Sequence, residues 1–458
     1  MSLLIENGTV LTAGKTPAVL PNHSVLIENG YITQIAPKNR LTRSAAKRIG
    51  ASRKVVVPGF INAHTHFYST FARGLTKTRP SGNFVDVLKN LWWRLDSALT
   101  TEDCYYSALI ALLDSIRHGT TTLIDHHASP NAVRGSLAAI EKAVKQTGLR
   151  ACLCYELSDR DGARISKEGL EENAAFIRHC RRSSRGEPAR IPRSQPSTPN
   201  PPPTTAALFG LHAAFTLKDA TLEKAAALGR ELGTGFHIHV AEAESDQQYS
   251  QHHYRLRVVE RLNRFGILGP RSLAAHCVHV NRRELDILSE TQTAVVHNPQ
   301  SNMNNAVGIA DIVSMGKRNV LVGLGTDAMT TNMLEELRAA LWAQHLFARN
   351  PSVGFSEVVS ALFFNNPKIA GRSFGLPLGE LREGCPGDVV IIDYDPPTPL
   401  EAGNSFGHMV FGMSQAAVDT TIVGGRVLME NKRLTLDLDE PRINARAREL
   451  AKKLWKRL

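Results

Sequence analysis

VVVPGFINAHTH, residues 55–66, reads as a strand that runs straight into a His-x-His pair, His64 and His66. Residues i and i+2 of a strand point to the same side. The two imidazoles at its end can therefore share one metal ion. Alone, such a pair is more often a chance surface feature. Here later segments of the chain end in the same chemistry.

Seven further apolar runs have strand character: 119–125 (GTTTLID), 149–156 (LRACLCYE), 206–213 (AALFGLHA), 234–240 (TGFHIHV), 271–277 (RSLAAHC), 293–297 (TAVVH) and 320–326 (VLVGLGT). With 55–63 as the first, that makes eight. Helical patterns separate most of them, such as TEDCYYSALIALLDSIRHG (101–119), SLAAIEKAVKQTG (136–148) and DATLEKAAALGRELG (219–233). Eight strands alternating with helices predict a parallel (β/α)8 TIM barrel over 58–375. Residues 1–57 and 376–440 read instead as short strands with turns, and 441–458 as a C-terminal helix. Residues 183–205 carry seven prolines and no apolar period. They predict a disordered or polyproline-like loop before the fourth barrel strand.

With 42% hydrophobic and 21% charged residues, the 458-residue chain suits a globular protein of one large and one smaller domain. No apolar run reaches the roughly 18 residues of a spanning helix, and the N-terminus lacks the pattern of a signal peptide. Six scattered cysteines without a CxxC pair fit a reduced, cytoplasmic setting. Cys152 and Cys154 read as packing residues rather than ligands. The net charge of +11 concentrates in Arg178–Arg193 and in the C-terminal helix. Without stacking aromatics beside it, this charge reads as solvated surface, so neither a nucleic-acid nor a membrane partner is expected.

Catalytic residues of such barrels sit at the C-terminal ends of the strands, and the polar residues fall there. Strand one ends at His64 and His66, strand four at His212, strand five at His239 with Glu242 beyond it. Strand six ends at His276, strand seven at His297 and Asn298, and strand eight at Asp327. His64, His66, His239 and Asp327 together suit one Zn²⁺, or Fe²⁺, with a position left open for water. Such a metal lowers the pKa of its water toward about 7. Glu242 is the candidate proton shuttle, provided the chain turns after Val240. His276 either orients the nucleophile or is a further ligand, and Asp327 ligates, accepts a proton, or both. His237 reads as barrel filling and His279 as a loop residue. Asp125-His126-His127 divides evenly between pocket lining and loop hydrogen bonding. Trp92 and Trp93 read as helix packing or as a lid. Strand four offers His212 and no lysine to bridge two metals, which favours one.

PGFINAHTH, HIHVAE, AAHCVH, HNPQSNMNNAVG and LGTDAM, in that order, resemble the amidohydrolase superfamily in its mononuclear deaminase and chlorohydrolase branch. IDHHASPN, LCYELSDRDG and NMNNAVG look like the aminohydrolases associated with selenium and hydroxypurine metabolism. The resemblance covers almost the whole chain and implies a small composite β-sandwich built from both termini. It implies His64, His66, His239 and Asp327 as metal ligands, Glu242 as acid/base, His276 near the nucleophile, His212 on the substrate, and a homodimer or higher homo-oligomer. Ala328 follows Asp327 where members usually have Gly. The expected activity is hydrolysis of carbon–nitrogen, non-peptide bonds: deamination of a purine- or pyrimidine-like ring. Chloride loss from a triazine-like ring and a non-catalytic metal-binding barrel are the alternatives.

Overall fold

In a computed structural model the described residues are 2–14, 16–41, 45–76, 79–185 and 202–458. The N-terminal segment forms β1 (Ser2–Leu11), β2 (Val19–Glu28), β3 (Tyr31–Pro37), β4 (Lys47–Gly50) and β5 (Val55–Pro58). The central strands are β6 (Phe60–Thr65), β7 (Thr120–Asp125), β8 (Arg150–Leu153), β9 (Thr205–Ala207), β10 (Phe209–Ala213), β11 (Phe236–Val240), β12 (Leu273–His276), β13 (Ala294–His297) and β14 (Val322–Leu324). The chain closes with β15 (Val389–Ile392), β16 (Val418–Val423), β17 (Arg426–Glu430) and β18 (Arg433–Leu434), then the helix Glu440–Arg457.

The run at 55–63 is two strands rather than one. β5 pairs with β1 and, antiparallel, with β15, whereas β6 pairs in parallel with β7. The handover takes one residue: the Gly59 amide bonds to Asp388 O and the Phe60 amide to Gly119 O, both at 3.0 Å. A Cβ at Gly59 would lie 2.2 Å from Thr121 Oγ1, so the bend requires glycine.

The parallel strands β6 to β14 form two sheets, β6-β7-β8-β9 and β10-β11-β12-β13-β14. The fourth barrel strand is broken at Leu208 into β9 and β10, which joins the two sheets. The other seam is closed by the Thr65–Asp327 bridge, with the amides of Thr326 and Asp327 bonding to His64 O at 2.9 and 3.0 Å. Eight strand positions thus close into a barrel, filled at one end by Ile61, Ile124, Cys152, Cys154, Val296 and the helix Asn366–Phe374. Buried Asn366 stitches the β6/β14 seam: its Nδ2 donates to Ile61 O and Leu324 O, each at 2.7 Å, and its Oδ1 accepts from Leu324 N at 2.8 Å.

Both chain ends share one nine-stranded sheet, β18-β17-β16-β15-β5-β1-β2-β3 with β4 beside β1. It folds around a core that includes Ile5, Val25, Ile27, Val56, Ile391 and Ile422. The helix Glu440–Arg457 buries Ile443, Ala447, Leu450 and Leu454 in the cluster that holds the helix Thr101–Arg117. Three of its seven basic residues are paired: Arg446 with Glu102 and Glu449, Lys453 with Glu449, and Arg457 with Asp103. Of the proline-rich stretch, 183–185 end the helix Ala163–Arg185 and Thr205 opens β9, while 186–201 lie outside the described residues. Among the described residues no helix is long and apolar enough to cross a membrane.

Candidate metal centre and active site

The C-terminal ends of the barrel strands converge on one cluster. Asp327 Oδ1 lies 3.0 Å from His66 Nε2 and 3.7 Å from His64 Nε2. His66 Nε2 and His239 Nε2 face each other at 3.2 Å. Each imidazole is oriented from behind. His66 Nδ1 donates to His126 O at 2.5 Å and His239 Nδ1 to His212 O at 2.9 Å, while His64 Nδ1 shares a 2.8 Å bond with His237 Nε2. These bonds aim the Nε2 atoms at a common point, the arrangement that metal-binding histidines need. His237 is therefore more than barrel filling, since it positions His64.

The donor set fits one divalent cation. Burial, reinforced by neighbouring imidazoles, holds His239 well below the ordinary histidine pKa, and burial lowers His64 despite Asp327. Both are neutral rings with lone pairs to give. Burial opposes charge on His66 too, but its hydrogen bond to Asp327 and the carboxylate charge outweigh this and raise it to about 9. Burial alone would raise Asp327, yet His64 and His66 hold it well below the usual carboxylate range. The proton on His66 thus supplies positive charge that a metal ion would provide instead. Buried His64 Nε2 has no hydrogen-bond partner among the described residues. His64, His66, His126 and His239 present nitrogens within 4.8 Å of one another, as do the ligand atoms of His64, His276 and Asp327. Ligands to one Zn²⁺ at about 2.0–2.3 Å are spaced this way.

The local backbone explains the convergence. Non-glycine residues with positive φ cluster at the strand ends: Ala241 (46°), His276 (74°), Cys277 (51°) and Asp327 (51°). Ala241 makes the turn that Glu242 requires. The Glu242 carboxylate then lies with Oε2 3.5 Å from His276 Nε2, and Oε1 accepts from Asn305 Nδ2 at 3.2 Å. Burial, then the charges of Asp327 and Asp246, push Glu242 well above its ordinary pKa. Asn302 Nδ2 donates to His276 Nδ1 at 2.8 Å, which leaves the ring proton on Nε2. Burial lowers His276 to about 3, so the ring is neutral.

About 560 Å³ of space, part of it open to solvent, lies above the cluster. Tyr68, Phe84, Leu88, Trp92, Trp93 and Phe215 form the apolar walls of this cavity. Trp92 and Trp93 come from the short helices that follow β6, so they cover the pocket as well as pack. His212 lines it, with Nδ1 2.7 Å from Thr216 Oγ1 and Nε2 3.4 Å from Glu156 Oε1. His126 lies in the metal cluster. His127 instead bonds to Ser129 Oγ at 2.9 Å, and Asp125 accepts from the Phe67 amide at 2.8 Å. His279 is tied to Val307 O at 2.7 Å, a loop role. His297 ends β13 and Asn298 precedes the helix Pro299–Asn304; neither lines the cavity.

Sequence reasoning missed Ser301, whose Oγ donates to Asp327 Oδ2 at 2.5 Å, and Asn302, which fixes the His276 tautomer. It also missed Asp96, Glu156 and Arg160 on the cavity wall. Ser301 and Asn302 lie inside a motif already singled out. Glu156 and Arg160 lie inside LCYELSDRDG, another quoted motif, and Asp96 on the short helix Trp93–Ser97, but no strand-end pattern marks any of the three as pocket lining.

Residues 55–428 match the amidohydrolase family, more than three quarters of the chain. The chain belongs to that family. Two relatives match over nearly all of this chain. The 5-methylthioadenosine/S-adenosylhomocysteine deaminase of Carboxydothermus hydrogenoformans is 32% identical, over 99% of this chain and 98% of that protein. The 5'-deoxyadenosine deaminase of Methanosarcina mazei is 31% identical, over 100% and 99%. Among solved structures, a zinc-bound adenosine deaminase from Xanthomonas campestris superposes with a TM-score of 0.83 at 23% identity, over 99% of this chain and 98% of that one. A zinc-bound atrazine chlorohydrolase from Arthrobacter aurescens gives 0.77 at 22% identity, over 98% and 100%. The amidohydrolase fold, a barrel with a β domain from both termini, is thereby shared. This chain is a metal-dependent hydrolase of the deaminase type.

Proposed function

We propose that the protein is an aminohydrolase that removes an exocyclic amine from a purine- or pyrimidine-like ring as ammonia. The observation that carries this reading is the buried Glu242 carboxylate beside the imidazole–Asp327 cluster, at the floor of an aromatic-walled cavity. His64, His66, His239 and Asp327 would hold one divalent cation, zinc by preference, and such an ion when bound makes water nucleophilic near neutral pH.

The remaining steps fall to the chain. Trp92, Trp93 and Phe215 grip a flat ring and exclude water. Glu242 takes the proton released as water adds to the ring carbon, then delivers it to the departing nitrogen. Its raised pKa suits a group that must carry a proton at neutral pH. His276, with its proton on Nε2, acts as a hydrogen-bond donor to the developing charge rather than as a further ligand. Asp327, held ionised, accepts from Ser301 while it serves the cation. His212 touches the substrate. A proton carrier favours deamination over chloride loss, because chloride leaves without one.

A homo-oligomer is the expected assembly, and the helix Met333–Ala348 supports it by exposing Trp342, Leu346 and Phe347 on one side. All six cysteines are unpaired, which fits the cytoplasm.

The test measures metal content and ammonia release from amino-substituted heterocycles. His239→Ala is expected to lose both metal and turnover. Glu242→Gln is expected to keep the metal and lose kcat by about 10²–10⁴-fold. Normal turnover by Glu242→Gln would remove it from the mechanism.

A further inference from the structure

Arg160 stands on the loop after β8 and lines the cavity, yet the reading above does not use it. Its Nη2 pairs with Asp96, its Nε with Asp161 Oδ2 at 2.8 Å, and its Cζ lies 5.3 Å from the Trp93 ring centroid. The guanidinium is therefore held in one plane. Its Nη1 is buried and has no hydrogen-bond partner among the described residues, and the same holds for Trp93 Nε1. Buried donors are nearly always satisfied. Two unsatisfied donors on one cavity wall call for an acceptor that arrives with the ligand.

The charge balance narrows that acceptor. Asp96 and Asp161 already compensate the Arg160 cation, so a neutral carbonyl is favoured over a carboxylate or phosphate. The same cavity offers acceptors. Thr216 Oγ1 donates to Ala213 O at 3.1 Å, so it accepts from His212 Nδ1 and leaves a lone pair on His212 Nε2. Glu156 Oε2 is buried without a hydrogen-bond partner among the described residues. A donor and acceptors on one cavity are complementary to a lactam edge, –NH–C(=O)–.

We infer that Arg160 reads a ring carbonyl, so that the substrate is an amino-substituted oxo-heterocycle rather than a ribosylated adenine. This rests on the aminohydrolase reading and names its substrate class. It departs from the adenosine-type substrates in the names of the full-length relatives.

The experiment compares ammonia release by the metal-loaded protein from three matched pairs: guanine and 2-aminopurine, isoguanine and adenine, cytosine and 4-aminopyrimidine. 5'-Methylthioadenosine and 5'-deoxyadenosine are run beside them. At least one oxo member is expected to exceed its partner in kcat/KM by about 10- to 100-fold, the range of a hydrogen bond to a charged donor. Arg160→Lys keeps the charge beside Asp96 but loses the planar fork, and should collapse that ratio toward one. If Arg160→Lys fails to fold, Trp93→Phe, which deletes the second donor, is expected to narrow the ratio. Preference for the nucleosides or the oxo-free members, or a ratio untouched by these variants, overturns the inference and leaves the aminohydrolase reading standing. No ammonia from any compound overturns both.

Discussion

At the scale of single residues, the barrel mouth is governed by where protons are held. The imidazoles around Asp327 are nearly all kept neutral by burial, and the one exception, His66, is charged because a carboxylate sits 3.0 Å away. Glu336 shows the same physics away from the ligands. It is buried, accepts from the Gln300 amide at 3.1 Å, and leaves Oε2 without a partner among the described residues. Burial first, then the charges of Glu335 and Asp327, raise its pKa to about 8. A carboxyl raised above its unfolded value of about 4.3 binds more protons folded than unfolded across that window. Its contribution to stability therefore falls as pH rises from about 4.3 through 8. Glu336→Gln mimics the protonated form and is expected to be more stable than the parent at pH 9 by about 1–3 kcal/mol. Thermal melts at pH 5 and 9 check this, since the gap should shrink to near zero at pH 5.

At the scale of elements, the site depends on close backbone approach at the β6/β14 seam. A Cβ on Gly325 would lie 2.8 Å from His64 Cβ and 2.5 Å from Asn298 Oδ1. Gly325→Ala is expected to displace His64 and weaken zinc affinity by about 10- to 100-fold, measured by chelator competition, in line with other changes to the support of metal ligands. Asn366→Ala strands two carbonyls and an amide at the same seam, and should cost about 2–3 kcal/mol in denaturant unfolding. Neither dependence is visible as a pattern in the chain. Strand β14 announces itself by VLVGLGTD, but the His64 that presses on Gly325 just beyond it lies some 260 positions earlier. The split of 55–63 at Gly59 escaped notice for a similar reason. Both halves are apolar, and only their different partners distinguish them. The helices, by contrast, declare their own ends: Thr100 caps Thr101–Arg117 through Asp103, as the local sequence suggests.

At the scale of the whole molecule, the two chain ends brace the barrel. The C-terminal helix buries Ile443, Leu450 and Leu454, and Trp455 Nε1 donates to Phe71 O at 2.8 Å, on the segment that follows His66. Three such side chains contribute roughly 5–9 kcal/mol of burial, comparable to the whole stability of a typical domain. Deletion of 440–458 is expected to abolish soluble expression or to lower the melting temperature sharply, as size-exclusion chromatography and melts would show. A truncated protein that melts like the parent would mean that the helix only rides on the surface.

The order of strands and helices, the barrel they form and the residues that end each strand are written in the chain, because strand period, helix caps and histidine spacing are local properties. His64, His66, His212, His239, Glu242, His276 and Asp327 could be singled out on that ground alone. What only the tertiary structure decided is which groups stand behind and across from them: His237 behind His64, Ser301 against Asp327, Asn302 on His276, and Arg160 with Asp96 over the cavity. Those pairings join loops and strands far apart in sequence. They arise when the closed barrel brings its eight strand ends around one mouth, a geometry that no local pattern records.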